Sequence, residues 1–342
     1  MSLRRRILIL AAVVCVLAVV AGLSFLRAAD RAEQKNHAQA GGPEITRGAL
    51  SLNPGDAGPR ILFRNMAWGP HRDELASVPA SAPEGARTAS GVSCLRFHSA
   101  GGTGVCLQAV KGGVQDGYRA VVLDARLKEV SAHPLAGIPT RARVSPGGHL
   151  AAWTVFVGGD SYAGTNFSTR TSVLDLRTGR LDASLEDFTI LKDGKEYRNA
   201  DVNFWGVTFT ADEQAFYATM ATGGRTHLVR GDLTARTVTT LRENVECPSL
   251  APDGKRLVFK KRVEGLPAEA PWRLYALDLA SGAQTPLAEE RSVDDQVVWL
   301  DERTVAYSLP GDFGADLYTV PADGSGAPVR LMASALAPAF LG

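Results

Sequence analysis

An excess of either charge is missing from this 342-residue chain: 37 Lys+Arg face 36 Asp+Glu, a formal net charge of +1 with the signs interleaved. Displacing counterions from phosphates needs clustered Lys and Arg, so the composition argues against a nucleic-acid partner. Cysteine is scarce. Its four residues form no Cys-x-x-Cys spacing, which removes zinc ribbons and dithiol redox motifs. The six histidines, His37, His71, His98, His133, His149 and His227, show no paired metal spacing and are expected in turns or at the surface. A Gly-x-Ser-x-Gly elbow is also lacking. The nearest approach, Gly159-Asp160-Ser161-Tyr162-Ala163-Gly164, places its last glycine one residue late, and no α/β-hydrolase domain is there to carry it. What remains is a chain of 45% hydrophobic and 21% charged residues, able to bury a sizeable core. Its 35 Gly and 18 Pro suit many short strands better than long helices.

A long apolar run occurs once. Behind Arg4, Arg5 and Arg6, the segment Ile7 to Leu26 carries no charge, matching the roughly 20 residues that cross about 30 Å of hydrocarbon as a helix. The arginines hold the N-terminus on the cytoplasmic side, so the chain after Arg27 is expected outside. The run is too long for a cleaved signal peptide, and residues 1–27 are expected to form a signal anchor. Residues 28–59, rich in Ala, Gly, Pro and polar side chains, are expected as a flexible linker. Export permits disulfides. Cys94 and Cys106 flank a Gly-rich turn and are the candidate pair, with Cys247 either a lone thiol or the alternative partner of Cys94. Cys15 lies inside the apolar run and is expected to pack there.

From residue 60 onward one unit recurs. Its clearest copy is Pro248-Ser249-Leu250-Ala251-Pro252-Asp253-Gly254, then the strand-like Arg256-Leu257-Val258-Phe259, then Trp272 to Leu279 and a turn at Ser281-Gly282. Pro-Asp-Gly supplies a tight turn between two strands, and β-branched and aromatic residues supply the strands. The same order recurs from Arg143 through the Ser145-Pro146-Gly147-Gly148 turn, from Val207 through Thr210-Ala211-Asp212, and in degenerate form from Val297 through Asp301. The copies lie about 40 to 65 residues apart, the spacing of four-stranded propeller blades. Cys94 to Pro134 supplies a further blade. Ile61 to Ala67 and Glu74 to Val78 supply one that lacks its first strand, which Leu336 to Leu341 is placed to provide. The fold expected is all-β: a six-bladed β-propeller over residues 60–342, closed by the two chain ends and preceded by one transmembrane helix.

These turns and the Leu274-Tyr275-Ala276-Leu277-Asp278-Leu279-Ala280-Ser281-Gly282 run resemble the TolB-like β-propellers, with the likeness covering roughly residues 60 to 341. The resemblance implies a propeller outside the cytoplasmic membrane that binds an envelope protein or peptide. In this chain a membrane anchor and linker stand in place of the separate N-terminal α/β domain that the resemblance would also imply.

No catalytic residue, metal ligand or cofactor site is assigned. The polar residues placed for a channel mouth are Asp294 and Asp295, which precede one innermost strand, Asp201 and Asn203, which precede another, and His149 in a turn. Phe204, Trp205, Trp153, Phe156 and Trp272 are expected to pack between blades, with exposure the alternative for Trp272 because it follows the long loop Arg262 to Pro271. Recognition would be built on the long loops Val157 to Arg170 and Phe188 to Asn203. The functional expectation is a membrane-anchored extracytoplasmic interaction module. Its alternatives are a propeller hydrolase or lactonase with a metal in the channel, and a ligand sensor.

Overall fold

The structure, a computed structural model, describes residues 2–53, 55, 58–112, 117–157 and 168–342. The Ser161 and Asn166 region and most of the Val157 to Arg170 loop lie outside the described residues. Leu3–Gln34 is one α-helix, long and apolar enough to cross a membrane. Ile7, Leu17 and Phe25 are exposed along it, as expected of a helix whose apolar side chains have no protein to cover them.

The remainder forms six antiparallel blades of at least four strands each. Blade 2, inner to outer, is Arg96–Ala100, Thr103–Val110, Gly117–Leu123 and Glu129–Leu135. Blade 3 is Ile138–Val144, Leu150–Phe156, Thr169–Asp175 and Arg180–Asp182. The inner strands of blades 4, 5 and 6 are Asn203–Phe209, Glu246–Leu250 and Val298–Trp299. Blade 1 closes the ring: its inner strand is the C-terminal Ala335–Leu341, paired antiparallel to Arg60–Asn65, with Glu74–Pro79 and Arg87–Ser93 outside. Ile45–Arg47, within the segment expected as linker, adds parallel to Arg87–Ser93 as a fifth strand.

Stacking the blades face to face buries both sides of their middle strands. Leu150–Phe156 is accordingly buried at all seven positions, which is why it reads as a continuous apolar run rather than an alternating one. The core is a set of layers, each made by two neighbouring blades. Leu150, Ala152 and Val173 of blade 3 pack on Phe204, Phe216 and Val229 of blade 4, and Val105, Leu107 and Val122 of blade 2 pack on Trp153 and Leu174 of blade 3. At the inner edge Gly206 has φ +67°, and a Cβ there would lie 2.7 Å from the Cys247 Cα. Glycine is therefore what lets the inner strands of blades 4 and 5 come together.

Two expectations are corrected, the Phe188 to Asn203 loop and the surface placement of two histidines. Phe188 to Asn203 is not simply a loop: Thr189–Lys192 and Lys195–Tyr197 form a hairpin, and its first strand pairs parallel to Thr237–Glu243 to widen blade 4 to six strands. Asp193 and Gly194 at its tip both have positive φ (53° and 75°), the backbone that a two-residue type I′ turn requires. Trp272 follows the packing expectation rather than its alternative: it is buried at 3% exposure, with Lys260 and Arg262 covering its ring at centroid distances of 4.2 and 4.8 Å. His98 and His227 are buried rather than at the surface.

Candidate functional site

The inner strands run side by side around the axis, so the faces of the ring differ in which ends they present. At the face where these strands begin lies a charged network. Lys260, fully buried, donates to Asp294 and lies 3.7 Å from Glu246, while the Arg262 Nε donates to Glu246 at 2.8 Å. Burial alone would lower the Lys260 pKa; the Cys247 sulfur and the Asp294 and Glu246 carboxylates reverse this and raise it above the ordinary lysine range. Arg141 reaches Asp294 from blade 3, with its Nη2 3.8 Å from the carboxylate. Asp295 accepts from the backbone N–H of Gln296 and Ser308 at 2.9 and 3.0 Å.

The expected channel-mouth residues do not converge on one point. Asp201 accepts from Thr222 Oγ1 and from the Gly223 N–H at 2.6 Å, fastening the Ala215–Thr222 to Arg225–Asp232 hairpin. Asn203 Nδ2 donates to the Asp201 carbonyl at 3.0 Å, and its Oδ1 accepts from the Thr169 N–H at 2.7 Å. His149 belongs to the other face. Its Nδ1 is 2.9 Å from Glu213, whose carboxylate also accepts from Ser145 Oγ at 2.5 Å. Burial tends to raise the Glu213 pKa, but the hydrogen bonds of Ser145 and His149 outweigh it and hold the group below its usual range. This Ser, Glu, His set cannot act as a triad, because the carboxylate stands between the hydroxyl and the imidazole that would have to take its proton. It is a tie between blades 3 and 4. Among the described residues no three His, Cys, Asp or Glu side chains are grouped to hold a metal ion. Cys94 and Cys106 are joined by a disulfide, with Cα atoms 5.3 Å apart, and Cys247 is a buried free thiol.

Side chains reach across the axis between the two faces. Gln296 Nε2 donates to the carbonyls of Val207 at 3.1 Å and Pro248 at 2.8 Å, and Arg143 Nη2 donates to the Val297 carbonyl at 3.2 Å. These bonds link blades 3, 4 and 5 to blade 6 and divide the axial space. On the side where the strands begin, only a cavity of about 30 Å³ remains. Where they end, a funnel of about 280 Å³ opens. Its walls are apolar, with Phe209, Leu250, Val298, Trp299 and Phe340 supplied by four blades, blade 1 through its C-terminal strand. Its polar groups are few: His98 and Arg143 at the floor, and Ser99, Thr208 and Ser249 on the sides. A concave, mostly apolar site with a few convergent polar groups is the usual form of a binding pocket. None of the residues that the sequence placed at a channel mouth lines it. The signal available was Arg141-Ala142-Arg143-Val144, charge alternating with small apolar residues in an inner strand, which places both arginines on one side of that strand.

No protein-family description matches the chain, and no curated protein matches it. Solved structures do match in fold. The crystal structure of TolB from Acinetobacter baumannii aligns over 83% of this chain and 66% of its own, at 17% identity and TM-score 0.54. A chain of the nidogen/laminin complex aligns over 83% of this chain and 99% of its own, at 10% identity and TM-score 0.55. A puromycin-hydrolyzing peptidase from Mycobacterium tuberculosis aligns over 83% of this chain and 45% of its own, at 16% identity and TM-score 0.50. The chain thus spans 66% of the length of TolB. The six-bladed ring is a TolB-like propeller in architecture, and the fold is shared by proteins of differing activity.

Proposed function

We propose that the protein is a membrane-anchored, extracytoplasmic interaction module of the cell envelope, and that it captures a segment of another envelope protein in the funnel. The observation that carries this reading is the funnel itself: an apolar, blind recess on a rigid ring, with only a few polar groups to orient what enters. Leu3–Gln34 supplies the anchor, and the Cys94–Cys106 disulfide suits an oxidising compartment. The Ser145, Glu213 and His149 geometry supports binding over hydrolysis. The likeness to TolB, a propeller of similar build, points the same way.

Photo-crosslinking in intact cells tests it. A benzophenone side chain at Ala211, exposed on the funnel rim, should yield a discrete adduct with an envelope protein, and one at Arg198 on blade 4 should not. Equal labelling from both places, or none from the rim, would reject the funnel as the capture site.

A further inference from the structure

Arg143 is 8% exposed and makes no ion pair among the described residues. A buried cation without a counter-anion is costly, so structures normally place a carboxylate against it. Here the groups around it are a carbonyl and an imidazole. Nη2 donates to the Val297 carbonyl, Nη1 lies 3.1 Å from His98 Nε2, and Nε has no partner. The imidazole is a poor acceptor for it, because the Val144 N–H already donates to His98 Nδ1 at 3.1 Å. A neutral imidazole has a single lone-pair nitrogen, so His98 cannot accept from both. Asp295, the carboxylate that bears on Arg143, lines the smaller cavity and is committed to two backbone N–H groups. Burial pulls the Arg143 pKa down to about 10, with Asp295 and Cys247 opposing, so the guanidinium stays charged at neutral pH. Ser99, 5% exposed and lining the side of the same funnel, has an Oγ without a partner.

Unsatisfied donors at the floor and side of an apolar funnel describe what completes them: an anion carrying an apolar body. We propose that the funnel binds the free C-terminal carboxylate of a peptide ending in an apolar residue, with the carboxylate on Arg143 and Ser99 and the terminal side chain among Phe209, Leu250, Trp299 and Phe340. Arginine meets a carboxylate through two parallel N–H donors. The cavity of about 280 Å³ suits one or two residues rather than a folded element. The inference rests on the reading of the funnel as the capture site and names the chemistry of what it captures.

The test uses the full-length chain in detergent and four peptides, acetyl-Gly-Ala-Ala followed by Leu, Ile, Phe or Val, each as free acid and as C-terminal amide. Titration calorimetry should show saturable binding of at least one acid and binding at least about tenfold weaker for its amide, the size of effect a charge-assisted hydrogen bond supplies. Arg143→Met should abolish the difference between acid and amide. Ser99→Ala, which leaves the cation in place and guards against misfolding of the first variant, should weaken the acid alone. Acid and amide binding equally, or no acid binding at all, would overturn the proposal. Isovalerate binding as tightly as the best peptide would overturn the peptide source and leave a small apolar acid as the ligand. Adducts from Ala211 without acid preference would sink the carboxylate assignment and leave the interaction role standing.

Discussion

Arg87 is 2% exposed, and its guanidinium reaches three acceptors: Asn65 Oδ1 at 2.7 Å, the Ser334 carbonyl at 2.8 Å and the Ala333 carbonyl at 2.5 Å. That arginine is structural, tying the fourth strand of blade 1 to the start of the C-terminal strand. Arg143, also buried, lacks such a set, and the difference separates a clamp from a site. His98 beside it carries a testable consequence. Burial first, and the Arg143 charge second, push its pKa well below 6.5, so the folded protein holds the ring neutral. An unfolded chain takes up that proton near pH 6.5 while the folded chain does not, so stability is full above this pH and falls as the pH drops below it. The slope from this one group approaches about 1.4 kcal/mol per pH unit. His98→Gln, which has no proton to gain, should flatten the fall in urea-denaturation stability between about pH 7 and 5 relative to the parent. His227 shifts in the same direction for the same leading reason and is unchanged in the comparison. Parallel slopes would show that His98 titrates alike in both states. The sequence did not disclose these roles, because a histidine in Arg96-Phe97-His98-Ser99 reads the same whether its alternate face meets solvent, a core or an axis.

Elements were more legible than sites where turn chemistry marked them. Pro252-Asp253-Gly254 and Ser145-Pro146-Gly147-Gly148 announce the first turn of blades 5 and 3 because few other residues satisfy those backbones. The Asp193-Gly194 hairpin carried an equally strong signal, but its flanking strands are only four and three residues long and dissolve into a polar stretch. The inner strands told least about function, since each gives the funnel only two or three residues and six strands must meet before a pocket exists. At this scale the disulfide makes the clearest prediction. Cys94 and Cys106 close a loop of sequence separation 12 and lie in the layer between blades 1 and 2, with Leu62, Phe97 and Val121. Replacing both by alanine should cost about 2–4 kcal/mol. Thermal unfolding of the parent with and without reductant should show a comparable loss. A melt insensitive to both would mean that the bond contributes nothing to the blade.

For the whole ring, closure depends on one strand. Ala335–Leu341 pairs with Arg60–Asn65, and Ala339 and Leu341 pack with Leu62, Cys94 and Val121 between blades 1 and 2. The missing first strand of blade 1 was visible in the sequence as an apolar C-terminal run without a unit of its own. The partition of the axis by Arg143 and Gln296 was not, because both reach partners in other blades. Truncation after Ser334 should bare the edge of Arg60–Asn65 and the adjoining apolar layers. The shortened chain should lose its cooperative melt and elute as aggregates in size-exclusion chromatography, whereas a monomer with the parent's melt would show that the ring holds without closure. The same pairing sets an order for biosynthesis. The segment that completes the first blade is made after all the other blades, so a nascent chain that has not reached it cannot shut the ring. Whatever folds first must wait with an open seam. A translational stall ahead of residue 335 would hold the protein in that state, which makes the interval before that strand is made the period when chaperones matter most.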